Sequence, residues 1–422
     1  MRRMHRTLAL AVGSTALLFA GSGAAQDWPQ WRGPNRDGKA AGFNAPKTWP
    51  KELNQKWKVT VGEGVATPAL VGDKLFVFSR QEGNEITRCL DAATGKELWQ
   101  DKYESAGASG PASGFSGPRS SPAVAQGKVV TLGVRGVLSC LDAETGKKLW
   151  RKDDFQAWPN FHPSSSPIIV DGLCIAQLGG RDNGAVVAYD LATGDQKWKW
   201  TGSSPAYASP ALMIIGGEKL VVAQTEAKLV VLHAADGKLA LEIGAAPQGG
   251  GGGRGGGRDY KAATPVVEGQ ILITAGRGTK CYKIEKEGDA FTAKELWSNA
   301  ESSVGFNTPV VKSGLIYGIA ERSGLFCLNA QTGQAAWSAP ISQSGGGGGG
   351  RGPATASIVD AGSVLLAMTP SSELIVFEPS DKAYTEAAKI KVASTPTHTH
   401  PVASGNRVFI KDQDSVTLWT VN

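Results

Sequence analysis

Apolar and polar residues alternate along most of this chain in short runs, and the runs come in sets of four. In one set, SPAVAQG (Ser121–Gly127) and KVVTLGV (Lys128–Val134) are followed by VLSCLDA (Val137–Ala143) and KKLWRK (Lys147–Lys152). Each run alternates or is rich in β-branched residues, and Gly, Asp or Pro stands at each boundary, so each reads as a strand of an antiparallel meander. The sets repeat. A Ser or Thr before Pro opens the first strand at Thr67, Ser121, Ser166, Ser209, Thr264 and Thr308, with weaker copies at Thr355 (TASI) and His400 (HPVA), at spacings of 43 to 55 residues. A period in that range denotes an array, a solenoid or propeller blades.

The last two strands of a set meet at a second landmark. It reads CLDAATGKELW (Cys89–Trp99), CLDAETGKKLW (Cys140–Trp150), AYDLATGDQKW (Ala188–Trp198) and CLNAQTGQAAW (Cys327–Trp337). The glycine supplies the positive φ of a tight hairpin, and the Asp or Asn accepts backbone amides across it. The tryptophan then packs on the neighbouring set. On this reading Trp57, Trp99, Trp150, Trp198, Trp297 and Trp337 are blade-docking residues.

Eight such sets predict an all-β fold: an eight-bladed β-propeller of four-stranded antiparallel blades. The eighth set ends after three strands, and NQKWKVTV (Asn54–Val61) has the form of the missing fourth. An N-terminal strand completing the last blade would close the ring and leave no open edge.

These turns resemble those of the pyrroloquinoline-quinone-like (PQQ-like) eight-bladed propellers, over roughly residues 28–422. That family includes quinoprotein dehydrogenases and the lipoprotein propeller of the outer-membrane barrel-assembly machinery. In blade four Leu241 replaces the tryptophan, and blades five and seven have longer turns. The leading DWPQWRGPNRDG (Asp27–Gly38) is similar to the start of many exported members. The resemblance implies one of two functions. The first is an exported, non-catalytic scaffold that binds a protein or an anionic ligand. The second is a quinoprotein dehydrogenase of alcohols or sugars using PQQ and calcium. Against the second, no two cysteines are neighbours, and the inserted loops of those enzymes are missing. No cofactor is expected.

Composition refines this picture. Arg2, Arg3 and Arg6 precede an apolar run (Leu8–Ala20) and small residues to Ala25, the pattern of an export signal over residues 1–25. A tail (26–53) would then lie over the propeller domain (54–422), and the protein would be periplasmic or secreted, with no membrane span after cleavage. Losing three arginines and no acid lowers the net charge from +6 to +3. That gives no case for nucleic acid. Cys89, Cys140, Cys281 and Cys327 recur in one niche of separate blades and Cys174 lies in another apolar run, so free thiols are expected; a monomer is expected as well.

Strand order alone places the connections from each fourth strand to the next first strand on one face, beside the turns between second and third strands. Candidate ligand-binding residues at that channel mouth are Arg119, His162, Tyr207, Lys261, Arg277, Asn307, Arg322, Arg351, His398 and His400. The arginines suggest an anion-attracting face. The three histidines do not form a metal centre on this reading, because blades three and eight are not adjacent. Glycine runs (249–257 and 345–350) and the insertion Ser105–Arg119 fall on the same face. No catalytic constellation is visible.

Overall fold

The structure is a computed structural model that describes residues 27–244, 261–320, 324–341 and 356–421. The proposed export signal, both glycine runs, Arg322 and Arg351 lie outside the described residues. The strands form eight four-stranded antiparallel sheets. Calling the strands of a blade A to D from the channel outward, seven blades run through residues 69–104, 123–152, 168–200, 211–244, 266–299, 310–339 and 357–391. The eighth combines Val402–Ser404, Arg407–Lys411 and Ser415–Thr420 with Asn54–Thr60, which pairs antiparallel with Ser415–Thr420 as its strand D. The ring is therefore closed by strands from the two ends of the chain, as the truncated last repeat predicts.

The recurrent turn acts as a fastener. In blade 1 the Asp91 carboxylate accepts the amides of Ala93 and Thr94 at 3.1 and 2.8 Å, and the Gly95 amide donates to the Asp91 carbonyl. Asp142, Asp190 and Asn329 repeat the arrangement. The threonine hydroxyl, and after it these amide bonds, hold Asp91 and Asp142 below the usual carboxylate range, while at Asp190 the amide bonds lead. The preceding blade's tryptophan lies on the turn. A Cβ on Gly95, Gly146, Gly194, Gly237 or Gly333 would stand 2.3 to 2.7 Å from Trp57, Trp99, Trp150, Trp198 or Trp297. Each indole N–H donates to a carbonyl of the same turn region, from Trp57 to Ala92 and from Trp150 to Leu191 for instance. Between blades 4 and 5, where Leu241 replaces tryptophan, Phe291, Tyr282 and Ile284 pack the gap instead.

Cys89, Cys140, Cys281 and Cys327 stand directly across from Trp99, Trp150, Trp297 and Trp337 in the C–D ladder. All five cysteines are free and buried. Burial pushes the Cys89 and Cys140 thiols up to about 12, so they are protonated packing groups.

The Ser/Thr-Pro landmark also has a physical role. The backbone N–H of four such residues donates to the hydroxyl of the next blade's equivalent: Thr67 to Ser121 at 3.0 Å, Ser121 to Ser166 at 2.9 Å, Ser166 to Ser209 at 2.8 Å and Thr264 to Thr308 at 2.9 Å. His400, which takes the place of Ser or Thr in blade 8, donates its N–H to the Thr67 hydroxyl at 3.0 Å.

Gly194 and Gly72 both have positive φ, but only Gly194 meets a neighbour within 4 Å. Gly72→Ala should cost roughly 1–2 kcal/mol from backbone strain alone. Gly194→Ala must also displace Trp150 and should cost several kcal/mol more. Denaturant midpoints of the two variants check this; equal losses would mean that the indole contact contributes nothing.

Candidate functional site

The channel is filled from one face by the tail. Trp28 pairs with Leu70 on the free edge of strand A in blade 1, and the Val124 amide of blade 2 donates to the Pro29 carbonyl. Trp31 Nε1 donates to Thr264 Oγ1 of blade 5 at 2.8 Å. The Arg32 guanidinium binds the Thr308 and Pro309 carbonyls of blade 6 at 3.0 and 2.7 Å. Arg36 binds Ser166 and Pro167 of blade 3 and Pro210 of blade 4, again through carbonyls. The chain then leaves along blade 7, where the Ala40 amide donates to the Asp360 carbonyl, and blade 8, where Asn44 donates to Gly405. Every blade thus touches the tail. Both guanidinium groups are fully buried, and desolvation lowers them to about 10 for Arg32 and about 9 for Arg36, so both stay charged at neutral pH. No acid neutralises Arg36; carbonyl dipoles and the Gln30 side chain hold it.

Above this plug, on the face of the D–A connections, is a cavity of about 280 Å³. Trp31, Ser209 and Thr264 close its inner end. Its wall comes from the D–A connections: Phe115 and Arg119 in the 105–119 insertion, Phe161, Tyr207, Phe306 and His398. Phe115 and Phe306 are 38% and 40% exposed at the rim, unusual for phenylalanine.

Three local devices shape the wall. The Arg119 guanidinium turns back into its own loop, donating to the Ala112 and Phe115 carbonyls at 2.9 and 2.8 Å. Burial lowers it to about 10, so it remains a cation. Gly117 lets the stem of the insertion lie against blade 1, since a Cβ there would sit 2.1 Å from the Glu63 carbonyl oxygen. His162 clasps the insertion from behind. Its Nε2 accepts the Ser109 amide at 3.0 Å, and its Nδ1 is 2.8 Å from the Val134 carbonyl. This pattern requires a neutral ring protonated on Nδ1. Trp158 stacks on that ring at 5.7 Å, with Arg135 over the indole at 4.7 Å. Burial holds His162 below its ordinary value, with help from Arg119 and Arg135. His398 meets Phe115 edge-on at 4.7 Å, and desolvation lowers it to about 4.

Of the residues singled out from the sequence, Arg119, Tyr207 and His398 line the cavity together. His162 stands behind the wall. His400 lies beneath the floor, edge-on to Trp31 at 4.6 Å, and its Nδ1 has no hydrogen-bond partner among the described residues. Asn307 donates to the Ile319 carbonyl at 2.8 Å in its own blade. Lys261 reaches the Glu226 carbonyl, and Arg277 is exposed. The sequence reading missed Trp31, Phe161 and Phe306 as cavity residues, and Arg32 and Arg36 as the hub. The signal was available in WRGPNRDG, where two arginines flank a Gly-Pro-Asn turn.

Calcium takes six to eight oxygen ligands, carboxylates foremost. The cavity lining has no Asp, Glu, Asn or Gln, and no cluster of three or more His, Cys, Asp or Glu suited to a metal occurs among the described residues. Arg119, the one guanidinium of the lining among the described residues, already serves loop carbonyls. The residues here do not fit a calcium-bound quinone.

Fold and site together define a closed, eight-bladed propeller with a plugged channel and an aromatic cavity at one mouth. A family model for the outer membrane protein assembly factor BamB matches residues 46–180 and 82–339, more than half of the chain, and the chain belongs to this family of PQQ-like propellers. BamB of Yersinia pestis is 25% identical over 331 residues, covering 75% of this chain and 67% of that protein. The quinohemoprotein alcohol dehydrogenase of Comamonas testosteroni is 27% identical over 161 residues, covering 36% of this chain and 22% of that protein. This chain thus spans about a fifth of that dehydrogenase. In three dimensions, BamB from Moraxella catarrhalis superposes with a TM-score of 0.63 at 15% identity, over 87% of this chain and 99% of that one. The Comamonas enzyme gives 0.64 at 15% identity, over 94% and 81%. Among the described residues, no helix is long and apolar enough to cross a membrane.

Two outcomes are expected. Arg36→Met should cost at least about 3 kcal/mol in a urea titration, because carbonyls from two blades lose their donor and each unsatisfied buried acceptor costs roughly 1–3 kcal/mol. Arg36→Lys should recover only part, since an ammonium lacks the planar fork. Separately, the unfolded His162 takes up its proton near pH 6.5 and the folded one only at lower pH. The contribution of the clasp is therefore fully present above 6.5 and lost as pH falls below it. Protection of the Ser109 amide against hydrogen exchange, corrected for the intrinsic rate, should drop over that range, and His162→Phe should abolish both protection and its pH dependence. Unchanged protection at pH 4.5 would rule out the clasp.

Proposed function

We propose that this chain is an exported, non-catalytic propeller that serves as a protein-binding scaffold in the cell envelope, with the aromatic cavity as its recognition site. The observation that carries this reading is the chemistry of the lining. Among the described residues five aromatic rings and no carboxylate line the cavity, and its one histidine is held neutral by burial. Such a wall offers apolar area and no general acid or base tuned to neutral pH. The arginine, apolar and small-residue pattern of residues 1–25 supports export, and the likeness to BamB, an outer membrane protein assembly factor, supports a protein partner there.

The second reading is a quinoprotein dehydrogenase, which the likeness to the Comamonas enzyme favours. One pair of experiments separates them. The purified mature protein is titrated calorimetrically with pyrroloquinoline quinone plus calcium, then assayed for dye reduction with alcohols and sugars. No saturable heat and no reduction are expected. In parallel, a photo-crosslinking residue replaces Phe306 at the mouth or Leu98, which is 48% exposed on an outer strand. Crosslinks to protein are expected from the mouth position and not from Leu98. Micromolar quinone uptake with substrate-dependent reduction would instead make this an enzyme.

A further inference from the structure

We infer that the cavity receives the aromatic side chain of a partner polypeptide, carried on an extended segment with an acidic residue beside it. This rests on the scaffold reading and names the occupant of its site.

The argument proceeds by chemistry. At about 280 Å³ the cavity is at or below the small end of ligand pockets and suits one or two rings rather than a large cofactor. Trp31 forms its floor, and Phe115, Phe161, Tyr207 and Phe306 stand around it. Phe161 and Tyr207 already meet edge-on at 5.8 Å, so faces and edges are both on offer to an incoming ring. A sugar is a poor match, because its hydroxyl donors need acceptors and the lining has no carboxylate or side-chain amide among the described residues. A quaternary or lysine cation would suit an aromatic cage, but the local field is positive. Arg119 is in the wall, and Arg32 and Arg36 lie under the floor, fully buried. Glu63 reaches the insertion through Ser116 but does not line the cavity. That field favours a negative charge near the ring.

Burial also limits how that charge binds. The arginine donors are committed to carbonyls, so the acid gains from the field at the rim rather than from a forked ion pair. An aromatic ring inserted alone, with its carboxylate on the next residue of a chain lying across the mouth, meets both conditions. The plug stops the ring at Trp31, so the partner docks at the mouth and does not thread the channel.

The test uses fluorescein-labelled, N-acetylated peptide amides and the mature protein in fluorescence anisotropy. The sequence Gly-Ser-Trp-Asp-Ser-Gly is compared with versions carrying Ala for Trp or Lys for Asp. The Trp-Asp peptide should bind saturably, the Ala version about tenfold more weakly, as for a central aromatic anchor, and the Lys version several-fold more weakly. Phe306→Ala and Tyr207→Ala should each lower affinity about tenfold, Tyr207→Phe should retain it, and Leu98→Ala should leave it unchanged, with folding checked by circular dichroism. Equal binding of the Trp and Ala peptides, or unchanged affinity in Phe306→Ala, would overturn the inference. So would free indole-3-acetate competing as well as the peptide on a molar basis, which would make the ligand a small molecule. If the peptides fail to discriminate while crosslinks from position 306 to protein persist, the occupant is wrong and the scaffold stands. Displacement by quinone with dye reduction would remove both.

Discussion

Eight inner strand edges facing one narrow channel set the problem that the rest of this molecule solves. Strand A of each blade pairs on one side only, so its other edge points backbone groups into the ring. A buried, unpaired carbonyl or amide is costly. Proline at the start of strand A removes an amide, and the hydroxyl before it takes the amide of the neighbouring blade. The carbonyls remain. Two guanidinium groups from one short tail gather carbonyls at the starts of strand A in three blades, counting both arginines. This explains how two cations survive complete burial without a carboxylate on Arg36: each is solvated by peptide dipoles in place of water. The tail is a hub, and its removal would leave every blade with an unpaired contact.

Blade docking at the outside follows a different rule. There, at five of the eight interfaces, the tryptophan lies on a turn glycine and its N–H caps the same turn, so each of these is fixed by one ring and one missing Cβ. These turns occupy the face away from the cavity. The D–A connections are free of that duty, and they are the segments that vary in length and carry the exposed rings. The docking turns and the exposed rings are thereby divided between the two faces of the ring.

This division also decides what the sequence made legible. The blades, their strands and the closure by Asn54–Thr60 repeat, and a repeated pattern is visible against its own copies. Residues that act once are not. Trp31 becomes a cavity floor only because the tail folds back through the channel, and nothing periodic marks that path. Phe161 and Phe306 sit before Ser/Thr-Pro landmarks but at unequal offsets, so no alignment of repeats brings them together. Charged residues were the more conspicuous candidates at the mouth. Yet Arg119 bonds its own loop, Lys261 a neighbouring carbonyl and Asn307 its own blade. Polar groups at this rim are spent on holding the connections, and the apolar ones are left facing solvent.

A metal-bound planar cofactor at a channel mouth needs oxygen ligands, carboxylates foremost. Here the tail puts Trp31 at the floor, and among the described residues the lining carries aromatic rings and no carboxylate or side-chain amide. Both histidines near the cavity stay neutral because burial disfavours their charge, which keeps the wall apolar across the neutral range. A site of this kind gains affinity from the area it removes from water, roughly 25 cal/mol per Å², and takes its selectivity from shape and from the positive field beneath. On the scaffold reading proposed above, those are the properties of a surface that holds a partner in place.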